Sequence, residues 1–394
     1  MIPAASPGRA APAEAASSRQ FDFALSHPIL GSPSLTERTA LDLIASTDRG
    51  LYCAAGDFHI DPWRPVPRAI ITHAHSDHAR FGSEVYVCHR DTAPILRKRL
   101  GDVTIETATY GQILTRNGVE LSFHPAGHVL GSAQVRVTAK GETWVASGDY
   151  KLEGDGVSPA FEPVRCHAFI TESTFGLPIY RWRPQAETFA SIDAWRRENI
   201  AAGRASILFA YALGKAQRLI AHVDPSLGPI VCHGAVEAIN ALYREAGIAL
   251  PPTQLATDPR TAIRGENKRD FARALIVAPP SAAASAWLKR FGDYSDALAS
   301  GWMQVRGNRR RRGLDRGFAL SDHADWPGLI AAIEATGAER VLVTHGYTEA
   351  LTRYLRDKGL DARALTTAYG DDEDATEGAP PAESEGGAAP EGGA

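Results

Sequence analysis

The sequence predicts an α/β protein of two domains, and three observations lead there. Three imidazoles and a carboxylate fall within six residues, His73-Ala74-His75-Ser76-Asp77-His78. They follow directly on Ala69-Ile70-Ile71-Thr72, an apolar, β-branched run that reads as a buried strand. Other strand-like runs also end on a polar residue, several of them beside a glycine. Between Gly176 and about Gly317 the texture changes to a strand–helix alternation of its own. With 394 residues, 44% hydrophobic and 22% charged, the chain is long enough for two such cores.

The motif behind the first strand has the chemistry of a metal site. Residues two apart in extended backbone face one side, so His73 and His75 point together. Asp77 and His78 follow where the chain turns, and approach the same point from another direction. Neutral imidazole nitrogens suit zinc and a carboxylate adds an anionic oxygen, at roughly 2.0–2.2 Å each. Four such residues this close can hold two ions if other segments complete the shells.

The remaining elements follow in order. Gly50-Leu51-Tyr52-Cys53 leads into Gly56-Asp57-Phe58-His59-Ile60-Asp61-Pro62, where Asp57 or Asp61 is a candidate acceptor behind a ligand histidine. Val85–Cys88 reads as a strand with a helical stretch after it to Leu100, and Val119–Phe123 alternates like a half-buried strand. Pro125-Ala126-Gly127-His128-Val129-Leu130-Gly131-Ser132 then sets one histidine between two glycines. Thr143–Tyr150 ends on Gly148-Asp149, Ala168–Gly176 carries Glu172, and Arg340–Gly346 carries His345. Polar groups at the carboxyl ends of buried strands are how open α/β sheets build active sites, so these residues are expected to converge on the first motif.

Within 177–317 the pattern predicts helices over Gln185–Ala202, Lys215–His222, Ala235–Ala246 and Ser281–Arg290, and strands over Ser206–Ala210, Pro229–Cys232 and Ala274–Val277. A basic segment, Arg306-Gly307-Asn308-Arg309-Arg310-Arg311-Arg312-Gly313, follows them. Residues 19–176 and 318–370 are read as one domain, with 177–317 inserted into it. Helices near Trp326–Thr336 and Thr348–Lys358 complete the first domain. Residues 1–18 read as a disordered arm without the pattern of a secretory signal, and 371–394 as a disordered acidic tail.

Composition narrows the class further. No run approaches 18 consecutive apolar residues, so no membrane span is expected. The four cysteines form no CxxC pair and read as reduced core residues of a cytoplasmic protein. The tail holds eight acidic residues and no Lys or Arg; removing them from the net charge of −4 leaves about +4 on residues 1–370. A mildly basic folded part is compatible with a polyanionic substrate.

Taken together, these residues resemble the metallo-β-lactamase fold and its β-CASP nuclease branch, and most of all the bacterial ligase-associated DNA exonucleases. The likeness runs from about Leu51 to Gly346. It is carried by His73-x-His75-x-Asp77-His78 with His128 and Asp149, and by Glu172 in Thr-Glu-Ser-Thr-Phe-Gly, His323 in Ser-Asp-His-Ala-Asp and His345 in Thr-His-Gly. Ala210-Tyr211-Ala212-Leu213-Gly214-Lys215-Ala216-Gln217 resembles a signature of the branch's inserted domain.

The resemblance implies an αββα sandwich with an inserted β-CASP domain. It implies two divalent metal ions, zinc or else manganese. His73, His75, His128 and Asp149 would hold one; Asp77, His78, Asp149 and His345 would hold the other. Asp77 would be essential to catalysis through its metal, His323 would be the general acid, and Glu172 would fix its tautomer and raise its pKa. Lys215 at a helix start and Arg306, Arg309, Arg310, Arg311 and Arg312 are candidate phosphate contacts, with Arg316 beside them. Trp302, Phe318 and Tyr347 have the chemistry for base stacking, although core packing suits each better. The implied activity is DNA exonuclease action in repair, with an ATP-dependent DNA ligase and a helicase as partners. His345 is typical of the branch's RNA enzymes, so an RNA-processing nuclease is the alternative. A glyoxalase-like hydrolase would lack Glu172 and His323, and a non-catalytic scaffold would have lost ligands.

Overall fold

The computed structural model describes residues 42–367 except 259, 260, 262, 265–267, 270, 284 and 306–312. The expected arm and acidic tail, Arg306 and Arg309–Arg312 lie outside the described residues.

The first sheet runs in chain order. β1 (Ala45–Ser46), β2 (Leu51–Cys53) and β3 (Phe58–Ile60) pair antiparallel; β4 (Arg68–Ile71), β5 (Val85–His89) and β6 (Ile105–Ala108) continue it in parallel. Helix α1 (Ala93–Leu100) connects β5 to β6. A second sheet begins with β7 (Leu114–Arg116), β8 (Val119–Pro125), β9 (Ala133–Ala139), β10 (Glu142–Ala146) and β11 (Ala168–Ser173).

The chain then leaves for a third sheet. This contains β12 (Ala205–Phe209), β13 (Ile230–Cys232) and β14 (Thr253–Leu255), with a small hairpin of β15 (Ile263–Arg264) and β16 (Lys268–Arg269) beside it in sequence. It is completed by β17 (Leu275–Ala278), β18 (Tyr294–Ala299) and β19 (Arg316–Phe318), in the all-parallel order β14-β13-β17-β12-β18-β19. Helices α2 (Gln185–Ala201), α3 (Lys215–His222) and α4 (Gly234–Glu245) accompany it. The return brings α5 (Trp326–Thr336), β20 (Arg340–Gly346), α6 (Thr348–Asp357) and β21 (Asp361–Ala364). β20 pairs with β11, so the second sheet closes in the order β21-β20-β11-β10-β9-β8-β7.

Alternation along the strands explains the layering. Ile70 and Val87 of the first sheet meet Phe123, Val135, Trp144 and Ile170 of the second in one buried core. Their neighbours Ala69, Ile71, Tyr86 and Cys88 face the other way, onto Ile95 and Leu96 of α1 and Ile239 and Tyr243 of α4. On the far side Val145, Phe169, Val341 and Val343 pack against α5 and α6. The result is helix, sheet, sheet, helix. The third sheet does the same within the insertion: Leu208 and Val277 face α2, α3 and α4, while Ile207, Phe209 and Ile276 face Phe271, Leu288 and Phe291.

Two expectations differ from what is found. Ser281–Arg290 is not one α-helix but two 3₁₀ segments, Pro280–Ala282 and Ala286–Phe291. A 3₁₀ turn stacks residues three apart, which puts Leu288 and Phe291 into the core together. Arg316–Phe318 is an edge strand of the third sheet, and Phe318 and Leu320 lie in that sheet's core, so the core of the third sheet extends past residue 317. β18 was not foreseen, because Asp296 breaks its apolar run; that carboxylate accepts from the Asp315 backbone N–H of the incoming edge strand.

Candidate metal centre

The ligand-type residues meet at the ends of β4, β10, β11 and β20 and in the loop after β8. Close backbone approach at two glycines makes this possible. Gly148 has φ +57°, and a Cβ there would fall 2.6 Å from Thr72 Cβ, so Asp149 comes to lie beside His73. Gly127 has φ +80°, and a Cβ would fall 2.1 Å from the Lys151 carbonyl, which folds the His128 loop onto β10's continuation. His73, His75, His128 and Asp149 offer ligand atoms within 4.8 Å of one another, and Asp77, His78 and His345 form an adjoining group on the same criterion. Asp149 Oδ2 lies between the groups, 3.5 Å from His73 Nε2, 3.8 Å from His128 Nε2 and 3.3 Å from His78 Nε2.

Hydrogen bonds to each ring's other nitrogen decide which atom is left for a cation. The Asp322 and Leu213 carbonyls can only accept, so His128 Nδ1 donates to Asp322 O (2.9 Å) and His75 Nε2 donates to Leu213 O (3.2 Å). The remaining lone pairs, His128 Nε2 and His75 Nδ1, face each other at 3.0 Å. Two lone pairs at that distance repel unless a cation or a proton joins them. Burial, aided by neighbouring His323, pushes His128 down to about 3, which disfavours the proton. His73 Nδ1 lies 3.1 Å from Thr72 Oγ1, whose own hydroxyl reaches Asp61 Oδ2 at 2.5 Å. His73 Nε2 is buried without a hydrogen-bond partner among the described residues. The donor set therefore fits divalent metal, and the backing acceptors are of the kind that orient metal-bound histidines.

The second group is organised by charge. Asp61, 2% exposed, takes His78 Nδ1 at 2.7 Å and the Thr72 backbone N–H at 2.8 Å. His78 Nε2 then faces Asp149 and, at 3.4 Å, Asp77. Burial opposes charge on His78, yet Asp149, Asp77 and Asp61 outweigh it and hold the imidazole well above its ordinary range. The same attraction overcomes burial at Asp149 and Asp77 and holds both carboxyls low. His345 enters through a β-bulge. Thr171 pairs with Val343 and Ser173 with Gly346, so Thr344 and His345 stand opposite Glu172 alone. His345 has φ +60°, and its ring stacks on His78 with centroids 5.7 Å apart. The Ser173 hydroxyl donates to the Thr344 and His345 carbonyls and fixes the bulge.

His323 stands beside His128 and the shared Asp149. Its Nδ1 lies 3.0 and 3.1 Å from the two Glu172 oxygens, and Glu172 is itself fixed by the Tyr150 N–H at 2.7 Å. Trp182 Nε1 donates to the His323 carbonyl, and the His323 ring lies 4.6 Å from that of His128. A buried carboxylate on Nδ1 leaves Nε2 as the atom that can carry a proton to or from a reactant.

Other expected residues lie elsewhere. Asp57 is a surface residue bonded to Tyr52 and Arg116, so Asp61 and not Asp57 backs the centre. Lys215 does not face an open groove: it is 1% exposed, with Nζ 3.3 Å from Asp322 Oδ1, because α3 is packed against the His323 segment. Arg316 pairs with Glu198 at 3.0 Å. Phe318 is core, while Trp302 and Tyr347 join Phe175 and Tyr180 in an aromatic cluster. Sequence reading missed Ser173, Thr72, Asp322 and the Leu213 carbonyl. The first three sit next to residues already predicted for the site, His73, Glu172 and His323; a backbone carbonyl leaves no mark in a sequence.

Histidines and carboxylates gathered at the strand ends of an αββα sandwich define the metal centre of the metallo-β-lactamase fold. With a second α/β sheet carried between β11 and β20, the chain has the metallo-β-lactamase sandwich with an inserted domain of the β-CASP kind. No family model matches the sequence. Among curated proteins, it is 35% identical over 326 residues to a probable DNA ligase of Opitutus terrae, covering 80% of this chain and 30% of that one. It is 34% identical over 119 residues to the endoribonuclease ysh1 of Emericella nidulans, covering 29% of this chain and 13% of the relative. The cleavage and polyadenylation specificity factor subunit 3 of Dictyostelium discoideum matches at 28% over 122 residues, 30% of this chain and 16% of that one. The chain thus spans less than a third of each of these relatives. A solved protein of unknown function from Enterococcus faecalis shares the fold at a TM-score of 0.50 and 13% identity, over 77% of this chain and 80% of the other. No helix among the described residues is long and apolar enough to cross a membrane.

Proposed function

We propose that the protein is a metal-dependent DNA exonuclease that works in repair beside a DNA ligase, with a helicase as a further partner. The observation that carries the reading is the His323–Glu172 pair, with Nδ1–Oε2 at 3.0 Å, next to two adjoining groups of metal ligands. A proton donor is worth most where an alkoxide must leave phosphorus, so this pair beside the centre favours phosphodiester cleavage over thioester or lactam hydrolysis.

His73, His75, His128 and Asp149 would hold one ion, and Asp77, His78, Asp149 and His345 the other. Two divalent ions held there, zinc or manganese, would supply Lewis acidity at a phosphoryl oxygen and lower the pKa of a water. The chain's own residues do the rest. Asp61, Thr72 and the Leu213 and Asp322 carbonyls hold the imidazoles in the tautomers the ions require. Glu172 keeps the Nδ1 proton of His323 in place, so His323 delivers the proton on Nε2 to the departing oxygen.

DNA is favoured by the 326-residue likeness to a protein named as a ligase, of which the matched part is 30%. That proportion supports a module that works next to ligation. A second reading, an RNA-processing nuclease, is favoured by the shorter likeness to proteins named as endoribonucleases. Matched end-labelled single-stranded DNA and RNA, incubated with zinc- or manganese-loaded protein and with Asp77→Ala as control, separate the two. Stepwise shortening of DNA is expected. Preferential cutting of RNA would move the protein to RNA processing, and cutting of neither would overturn phosphodiester hydrolysis altogether.

A further inference from the structure

The inserted domain reaches the first ligand group through one loop and the helix behind it. The loop after β12 brings the Leu213 carbonyl to His75 Nε2 at 3.2 Å. One residue on, Gly214 has φ +90°, and a Cβ there would fall 2.3 Å from Val129 Cγ1 in the His128 loop. Gln217 holds the loop in this shape, accepting from the Gly214 N–H at 2.7 Å and donating to Asn240 at 2.9 Å.

Helix α3 then opens with Lys215, whose ammonium meets Asp322 Oδ1 at 3.3 Å and lies 5.0 Å from the centre of the Tyr211 ring. Asp322 is the residue whose backbone carbonyl takes the Nδ1 proton of His128. Arg218 donates to the neighbouring Ser321 carbonyl, and from α4 the Tyr243 hydroxyl accepts from the Leu130 N–H at 3.1 Å, two residues past His128. Two imidazoles of one ligand group are therefore oriented by acceptors that the inserted domain supplies or clamps. The clamp is a buried ion pair, 1% and 3% exposed at Lys215 and Asp322. Removing either partner of such a pair leaves an uncompensated buried charge, so Lys215 adds to the hold that Arg218 and Trp182 have on the Asp322 segment.

We infer that docking of the inserted domain assembles the His73/His75/His128/Asp149 metal site, with Lys215 as the positioning residue that holds the Asp322 carbonyl under His128. Cation binding and closure of the two domains are then linked equilibria: each favours the other by the same factor. This rests on the metal-centre reading above, and it gives the insertion a task at the metal site itself.

The test uses the full chain and zinc alone. In Lys215→Met, zinc competed against a chromophoric chelator is expected to show one of two equivalents bound about 10–100-fold more weakly, the usual cost of losing a group that orients a ligand. Lys215→Arg should recover much of that loss. A second measurement needs no variant: hydrogen exchange in wild-type segments 210–220 and 236–245 should slow when zinc is added and speed up on chelation. Unchanged zinc affinity in Lys215→Met, or exchange in those segments indifferent to bound zinc, would overturn the linkage while leaving the metal centre standing. A wild-type chain that takes up no zinc would overturn both.

Discussion

The two halves of the centre are held from different parts of the molecule. In the half formed by His73, His75 and His128, two rings donate to backbone carbonyls, one from the inserted domain and one from a segment that domain clamps. In the half formed by Asp77, His78 and His345, the anchors are the Asp61 carboxylate and a bulge pinned by Ser173, both inside the sandwich. The difference teaches that one insertion can govern half of a shared centre and leave the other half to the sandwich that carries it. Asp149 belongs to both, and so it marks where the comparison can be broken.

Asp149→Ala should have the largest effect. Its carboxylate lies within 3.8 Å of ligand nitrogens from His73, His78 and His128, and its loss leaves those imidazoles without their shared anion. Zinc content measured by mass spectrometry should drop in both halves, and hydrolysis should fall by at least about 10⁴-fold, beyond what one acid–base group supplies. A variant that still holds two ions would show that Asp149 does not link the halves. His323→Ala should come next, with a rate loss of roughly 10²–10⁴-fold. Because the His323 ring bonds to Glu172, and the Asp322 carbonyl behind His128 is main chain that alanine keeps, both ions should remain bound. A full rate from a substrate with an unusually good leaving group would single out proton donation as the lost step; equal loss on every substrate would count against it.

Much of this arrangement was legible in the sequence because strand ends advertise themselves. Short β-branched runs such as Ala69–Thr72 and Val341–Thr344 are buried on both faces, so a histidine or aspartate directly after them is conspicuous. The helices 185–201, 215–222 and 326–336 were also readable from apolar spacing. What was not legible depends on long-range approach. Nothing local distinguishes Asp57 from Asp61; the structure separates them because Asp61 folds against Thr72 and His78 while Asp57 stays on the surface. Lys215 looked like a surface cation at a helix start, and its partner lies 107 positions downstream at Asp322. The bulge at Thr344–His345 appears only when β20 is laid against β11.

Two smaller effects sharpen the contrast between the halves. Asp61→Asn keeps an oxygen for the Thr72 backbone N–H but loses the charged oxygen that takes His78 Nδ1 and the Thr72 hydroxyl, so the cation beside His78 and His345 should bind about 10–100-fold more weakly. The half backed by Leu213 and Asp322 should change less. Cobalt titrated in place of zinc, followed by its visible absorption, would register the two sites separately, and equal weakening of both would defeat the distinction.

The finest test is Ser173→Ala. His345 is held at φ +60°, a backbone state that costs a non-glycine residue roughly 1–2 kcal/mol. The Ser173 hydroxyl helps to keep it there by satisfying the Thr344 and His345 carbonyls, while Gly346, which has no Cβ to strike the Ser173 carbonyl at 2.5 Å, lets the bulge close. Loss of a buried hydrogen bond of this kind costs about 1 kcal/mol, or about fivefold in an equilibrium constant. The cation at His345 should therefore bind about fivefold more weakly in the alanine variant, with the His75 and His128 site unaltered. If the loss appeared instead at the His75 and His128 site, the bulge would have to act across Asp149, and the two halves would not be independently anchored after all.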